Sequence, residues 1–269
     1  LLSKGTHMAN AALHVARTGL DAQNMRMQVI ANNLANVNTT GFKRDRANFA
    51  TLAYQLITQP GAASSAENKY AIGLNLGTGV AITGTARIAT QGTLNQTGNT
   101  LDMAIQGDGY FQVLMPDGRT GYTRAGDFSL TAEGTIVTAD GMPVQPQIQV
   151  PPNTTSITIG ADGTISASVE GQAEASQLGK IETARFVNAA GLQSIGGNLL
   201  VETGASGTPQ VGAPGTEGRG AVKSGMLEAS NVNVVEELVD MIETQRAYEV
   251  NSKMIQATDE MLRNANQQL

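Results

Sequence analysis

The sequence contains no cysteine and no tryptophan, and aromatic residues make up only 4% of it. Disulfides, thiolate metal sites and cysteine nucleophiles are therefore excluded, and no dense aromatic core is available. The two histidines, His7 and His14, are too few for most transition-metal sites. No stretch approaches the roughly 18 consecutive apolar residues of a membrane span. The N-terminal region has no apolar run suited to a secretory leader. Membrane insertion is not expected, and export would need a route without a cleaved signal. A basic stripe is also missing: net charge is -6 and the pI about 5.0. That argues against a phosphate-backbone partner, so no nucleic acid is expected.

What remains is a chain of 269 residues, 41% hydrophobic, with 31 glycines, long enough for a real core and rich in turn-forming positions. The opening LLSKGTHM, residues 1–8, reads as a tag remnant and is set aside. Two segments have helical periodicity, and they lie at opposite ends. In the first, Leu13, Leu20, Met27 and Leu34 recur every seven residues, with Ala16, Ile30 and Val37 in the partner positions. Val15, Ala22 and Val29 form a second stripe. The stretch Asn36 to Gly41 ends this helix, and Gly41 suits a positive φ.

The C-terminal helix is longer. Asn233 is placed to cap it, with Glu236 at capping-box spacing and Glu237 at the positive end of the dipole. Val234, Met241, Tyr248, Ile255 and Leu262 recur every seven residues, and Ala247, Val250, Met254, Ala257 and Met261 form another stripe. From Val234 to Asn264 the helix would span about 45 Å. Two stripes on each helix make an apolar face broad enough for more than one neighbour. The chain between offers no third helix, so other subunits are expected to cover the remainder. The residues expected to carry assembly are Leu13, Leu20, Met27, Ile30, Leu34, Val234, Leu238, Met241, Tyr248, Val250, Met254, Ile255, Met261 and Leu262.

Between residues 79 and 220 the signals are β. Short runs at 110–115, 128–130, 135–137 and 156–159 are separated by Asp108-Gly109, Asp117-Gly118, Asp140-Gly141 and Asp162-Gly163, which supply positive-φ turns. Pro143, Pro146, Pro151 and Pro152 suggest a division into two lobes, and residues 203–220 read as a long surface loop. The Asp-Gly pairs lack the ligand spacing of a calcium loop. Gly73, Gly77 and Gly79 are followed by no Gly-Lys-Ser/Thr. No Gly-x-Ser-x-Gly elbow occurs. No catalytic residue, metal site, cofactor or small-molecule substrate is expected. The organisation expected is 9–45 N-terminal helix, 46–80 extended inter-subunit segment, 81–220 central β domain and 221–269 C-terminal helix. The fold class is α+β, with the terminal helices pairing as a coiled-coil-like layer.

Three stretches carry a family resemblance. GLDAQNMRMQVIANNLANVNTTGFKR, residues 19–44, resembles the N-terminal signature of flagellar rod and hook axial proteins, with Asn32, Asn33, Leu34, Ala35, Asn36, Gly41 and Phe42 at its heart. SNVNVVEELVDMIETQRAYEVNSKMI, residues 230–255, is similar to the C-terminal signature and includes Asn231, Val232, Arg246 and Tyr248. Residues 107–141 resemble the shared central β segment. The length and residues 54–80 resemble the distal rod group, the alternatives being a proximal rod or hook paralogue.

The resemblance implies a homopolymeric helical tube with paired terminal helices inside and the β domain outside. It implies export through the flagellar type III channel and a place from the periplasm to the outer membrane. The implied partners are other copies of the chain, other rod proteins, the hook protein, the P- and L-ring proteins and the export apparatus. Two rival classes stand beside it. A secreted binding module would be a stable monomer, and a peptidoglycan-cleaving enzyme would need a carboxylate cleft with one raised pKa.

Overall fold

The computed structural model describes residues 2–58, 73–169 and 175–267. Two compact units emerge, and neither is continuous in sequence. One unit takes residues 1–34, 45–86 and 234–269, and the other takes 35–44 and 87–233. The fold is α+β, with a helix at each end and a strand-rich region between them.

In the first unit, helix α1 (Leu2–Ala35) begins inside the segment set aside from the sequence, since no proline interrupts residues 2–35. It ends at Ala35, where the Asn-rich stretch was expected to stop it. Helix α2 (Val234–Gln267) starts with Glu236 and Glu237 in its first turn, favourable at the positive end of the dipole. Near its end, Arg263 Nη2 lies 2.8 Å from Asp259 Oδ2, an i,i+4 pair. Among the described residues no helix is long and apolar enough to cross a membrane. The chain between the helices adds two small antiparallel or paired ribbons. Strand Asp45–Thr51 pairs with Val80–Arg87, and Tyr54–Thr58 pairs with Leu74–Gly77. Residues 59–72 of the expected extended segment lie outside the described residues.

The second unit is built on a seven-stranded sheet. Its order is Gln193–Gly196, Leu199–Val201, Thr120–Thr123, Tyr110–Leu114, Thr183–Arg185 and Gln210–Gly212, with Val144–Gln145 also on Tyr110–Leu114. Strand alternation sends Phe111 and Val113 to one face and Tyr110 to the other. On the first face Phe111 meets Phe128 edge to face, with centroids 5.1 Å apart. On the second, Phe186 packs edge-on against both Tyr110 and Tyr122. Glycines 109, 118, 141 and 163 have positive φ, as the Asp-Gly turns required.

The hairpin beyond Pro151-Pro152, Thr154–Ile159 with Thr164–Val169 and then Ser176–Lys180, contributes Ile159 and Ile165 to the same core as Phe111. One core therefore serves both sides of the proline stretch. Residues 203–220 are not a simple surface loop. They include strand Gln210–Gly212, a fully buried Ser206 and a buried Arg219, whose guanidinium donates to Ala213 O and Thr216 Oγ1. Those internal bonds let a Gly- and Pro-rich segment pack, because its backbone carbonyls find a donor inside the loop.

Candidate assembly surface

The helical unit is unusual in what it buries. Along α1 a covered seam runs through Leu13, Ala16, Leu20, Gln23, Met27, Ile30 and Leu34, in alternating steps of three and four, with Ala22 and Asn33 buried beside it. Along α2 the seam runs through Glu237, Met241, Thr244, Tyr248, Asn251, Ile255 and Thr258, again in steps of four and three, with Asp240, Ala247 and Ser252 half-buried beside it. The seam therefore mixes half-buried Leu13, Leu20, Met27, Leu34, Met241, Tyr248 and Ile255 with fully enclosed side chains that, apart from Ile30, are small or polar, while of the second α2 stripe only Ala247 is covered. Asn33, Glu237 and Thr244 are each 1% exposed. Asn33 Nδ2 donates to Asp45 O at 2.9 Å and to Glu237 Oε2 at 3.3 Å, and its Oδ1 accepts from Asp45 N–H at 3.0 Å. Arg26 Nη2 lies 3.4 Å from Asp240 Oδ1. A Cβ added at Gly19 would sit 3.0 Å from Asn251 Nδ2. These pairings run in opposite directions along the two helices.

Most large apolar side chains of α2, other than Met241, Tyr248 and Ile255, lie instead on its open face. Val234, Val235, Leu238, Val239, Ile242, Val250, Met254 and Met261 are exposed, Val235 to 70% and Met261 to 69%. Phe49, Tyr54, Leu56, Ile57, Leu74, Leu76 and Ile82 extend the exposed apolar surface of the same unit. Sixteen of the twenty large exposed apolar side chains among the described residues belong to this unit. Conversely, among the described residues every buried apolar side chain except Ala16, Ala22 and Ile30 lies in the strand unit. The expected assembly residues therefore separate into two groups. Leu13, Leu20, Met27, Ile30, Leu34, Met241, Tyr248 and Ile255 are half-buried or buried. Val234, Leu238, Val250, Met254 and Met261 are open. The side chain of Leu262 lies outside the described residues.

Of the signature residues, Asn33 and Val232 are buried, Leu34, Asn36, Gly41, Phe42, Asn231 and Tyr248 are half-buried, and Asn32, Ala35 and Arg246 are exposed. Several serve the strand unit. Asn231 Oδ1 accepts from Arg44 N–H at 2.7 Å, while its Nδ2 donates to Ile88 O and Thr90 O. Gly41, at φ +69°, approaches Ala125 so closely that a Cβ would stand 2.6 Å from its backbone nitrogen.

Sequence reasoning missed a buried charge cluster beside them. Glu228, 1% exposed, takes a short hydrogen bond from Lys43 Nζ and a bond from Arg124 Nε at 2.9 Å. Burial pushes the Lys43 ammonium below its usual range, against the pull of Glu228. Burial works to raise the Glu228 carboxyl, but the Arg124 charge and the Lys43 bond outweigh it and hold it low.

Elsewhere, burial pushes the Asp127 carboxyl up, with Asp102 and Asp140 adding to it. The cavity it lines with Asp140 and Phe128 is about 150 Å³, below the roughly 300 Å³ at which ligand pockets begin. Among the described residues no group of three acidic or histidine side chains is arranged to hold a metal ion.

Comparison with known proteins bears directly on this surface. Residues 13–43 match the family model described as flagella basal body rod protein. Residues 104–167 match the flagellar hook protein FlgE/F/G D1 domain, and residues 223–268 match the flagellar basal body rod FlgEFG protein C-terminal region. The flagellar basal-body rod protein FlgG of Buchnera aphidicola subsp. Acyrthosiphon pisum is 51% identical over 256 residues, covering 95% of this chain and 98% of the relative. That of Caulobacter vibrioides is 46% identical, covering 95% and 98%. The flagellar basal-body rod protein FlgF of the same organism is 35% identical, covering 96% and 97%.

Proposed function

The chain belongs to the family of flagellar basal-body rod proteins and is a structural subunit of the rod, and we propose that it polymerises through its helical unit into the distal segment. The observation that carries this reading is the burial pattern of that unit, whose fully enclosed side chains are, apart from Ile30, small or polar while its open face carries large apolar ones. An uncovered apolar face of this extent marks an interaction surface. Neighbouring copies would cover the stripe from Val235 to Met261, while the inner seam pairs α1 with α2 as a coiled-coil-like layer lining the tube. The ribbon around Tyr54–Thr58 and Leu74–Gly77 would add lateral contacts, and its residues 54–80 resemble the distal rod group. Such contacts would stiffen the tube.

In this reading the tube spans the periplasm to the outer membrane, passes motor torque to the hook, and meets other rod proteins and the P- and L-rings. Export would be as an unfolded chain without a cleaved signal. No catalysis is assigned: among the described residues, the cavity beside the raised Asp127 carboxylate is too small for a glycan strand. Electron microscopy of concentrated protein tests the core of the proposal. Straight tubes are expected, and a persistent monomer would favour a binding module instead. Release of fragments from purified peptidoglycan, abolished by one Asp or Glu substitution, would favour an enzyme.

A further inference from the structure

Three buried charges of the strand unit come from distant places in the chain: Lys43 near the N-terminal helix, Arg124 in the central sheet, and Glu228 just before α2. Arg124 is held from several sides. Its Nη1 donates to Gly107 O and Gly109 O, its Nη2 donates to Ile105 O, and its guanidinium lies 5.9 Å from the centre of the Tyr110 ring. Lys43 Nζ also donates to Thr90 O at 2.8 Å. Both cations share one anion, and they repel each other. Two buried cations without a counter-charge are strongly unfavourable.

Backbone packing around the anion is equally committed. Glu228 Oε1 accepts from Gly92 N–H at 2.9 Å, and Glu228 O accepts from Gly41 N–H at 2.8 Å. Strand Met226–Glu228 pairs with Leu94–Gln96, and Ala229 N–H donates to Thr93 O. A Cβ at Gly92 would stand 2.0 Å from Ala229 O, so this stretch closes backbone on backbone.

We propose that Glu228 is a latch: the strand unit reaches its stable closed form only when the C-terminal segment delivers this carboxylate between Lys43 and Arg124. Until then the central sheet carries two cations it cannot bury. The unit's stability is thereby conditional on both ends of the chain, and a chain made only as far as residue 225 stays open. The latch is independent of how copies assemble, since every group in it belongs to one unit of one chain.

A double-mutant cycle on the full-length chain, kept dilute, tests it. Thermal melting and hydrogen exchange over Met103–Gln106 and Tyr110–Leu114 report the strand unit. Glu228→Gln should lower that transition by about 10 °C or more and expose those amides. Lys43→Met in the Glu228→Gln background removes one of the two stranded cations, so it should recover part of the loss, a coupling of at least tenfold in the folding constant. If Glu228→Gln does not fold at all, a folded double variant supports the latch. A Glu228→Gln transition within 2 °C of the parent would overturn the proposal, as would additive losses or a double variant as unfolded as the single.

Discussion

The two units treat apolar side chains in opposite ways. The strand unit seals them: Phe111, Val113, Ile165 and Ile181 are fully buried, and its few exposed ones, such as Val187, are scattered. The helical unit keeps Asn33, Glu237 and Thr244 inside and turns Val235, Val239, Ile242 and Met254 outward. A sealed core makes a unit that is stable by itself. An inverted helix pair is incomplete alone, because its main hydrophobic gain is available only on contact with another surface. The contrast teaches that solubility of the subunit and cohesion of the polymer reside in different parts of one chain.

The largest expected effect comes from charging the open face. Ile242→Asp combined with Val250→Asp would bury two unpaired carboxylates in each contact, costing several kcal/mol. Sedimentation should show the critical concentration for tubes raised at least about 100-fold, with the melting of the strand unit unchanged. Tubes at the parental concentration would show that this face meets solvent in the polymer. The converse experiment strikes the sealed core. Phe111→Ala should cost about 3 to 5 kcal/mol in the strand transition, read by chemical denaturation, while Val239→Ala should leave monomer stability within about 0.5 kcal/mol.

Intermediate in size is the polar pin of the helix seam. Asn33→Ala removes both bonds to Asp45 and the bond to Glu237, which should cost about 1 to 3 kcal/mol of helical-unit stability. Circular dichroism at 222 nm of assembled tubes would record it, and an unchanged melt would mean the seam is set by packing alone. The smallest effect is an acid one. The Asp162 carboxyl is held at about 2 by bonds from Thr164 Oγ1 and N–H and from Lys180 Nζ. A folded value below the unfolded one adds stability that is present above the ordinary carboxylate range and lost as pH falls toward 2. Asp162→Asn should therefore flatten the strand unit's melting curve against pH slightly between 4 and 2, and leave it alone above 5.

Much of this was legible in the sequence. The heptad of Leu13, Leu20, Met27 and Leu34 located α1, and its Asn-rich end fell at the observed stop. The four Asp-Gly turns marked corners of the sheet because a positive φ leaves few residue choices. Periodicity could not tell which stripe faces inward, since both stripes on α2 contain apolar residues and only three-dimensional partners distinguish them. Seven-residue spacing favoured Val234, yet the covered position there is Glu237, held by Asn33 from 204 residues away. The charge cluster was illegible for the same reason. Lys43, Arg124 and Glu228 are each ordinary in their own stretch, and only a long-range fold brings them together. The segment 203–220 misled because its composition suits a loop, while Arg219 supplies the internal donors that let it pack.

Hydrogen exchange on the full-length chain, compared between dilute monomer and assembled tubes, tests most directly whether the helical unit is completed by its neighbours. Isolated long helices with an uncovered face are marginal, because ordering each residue costs about 1 to 2 kcal/mol. Protection over residues 12–35 and 234–264 should be low in the monomer and rise at least about 100-fold on assembly, while amides of Tyr110–Leu114 stay equally protected in both. Strong protection of both helices in a verified monomer, unchanged in the tube, would contradict it.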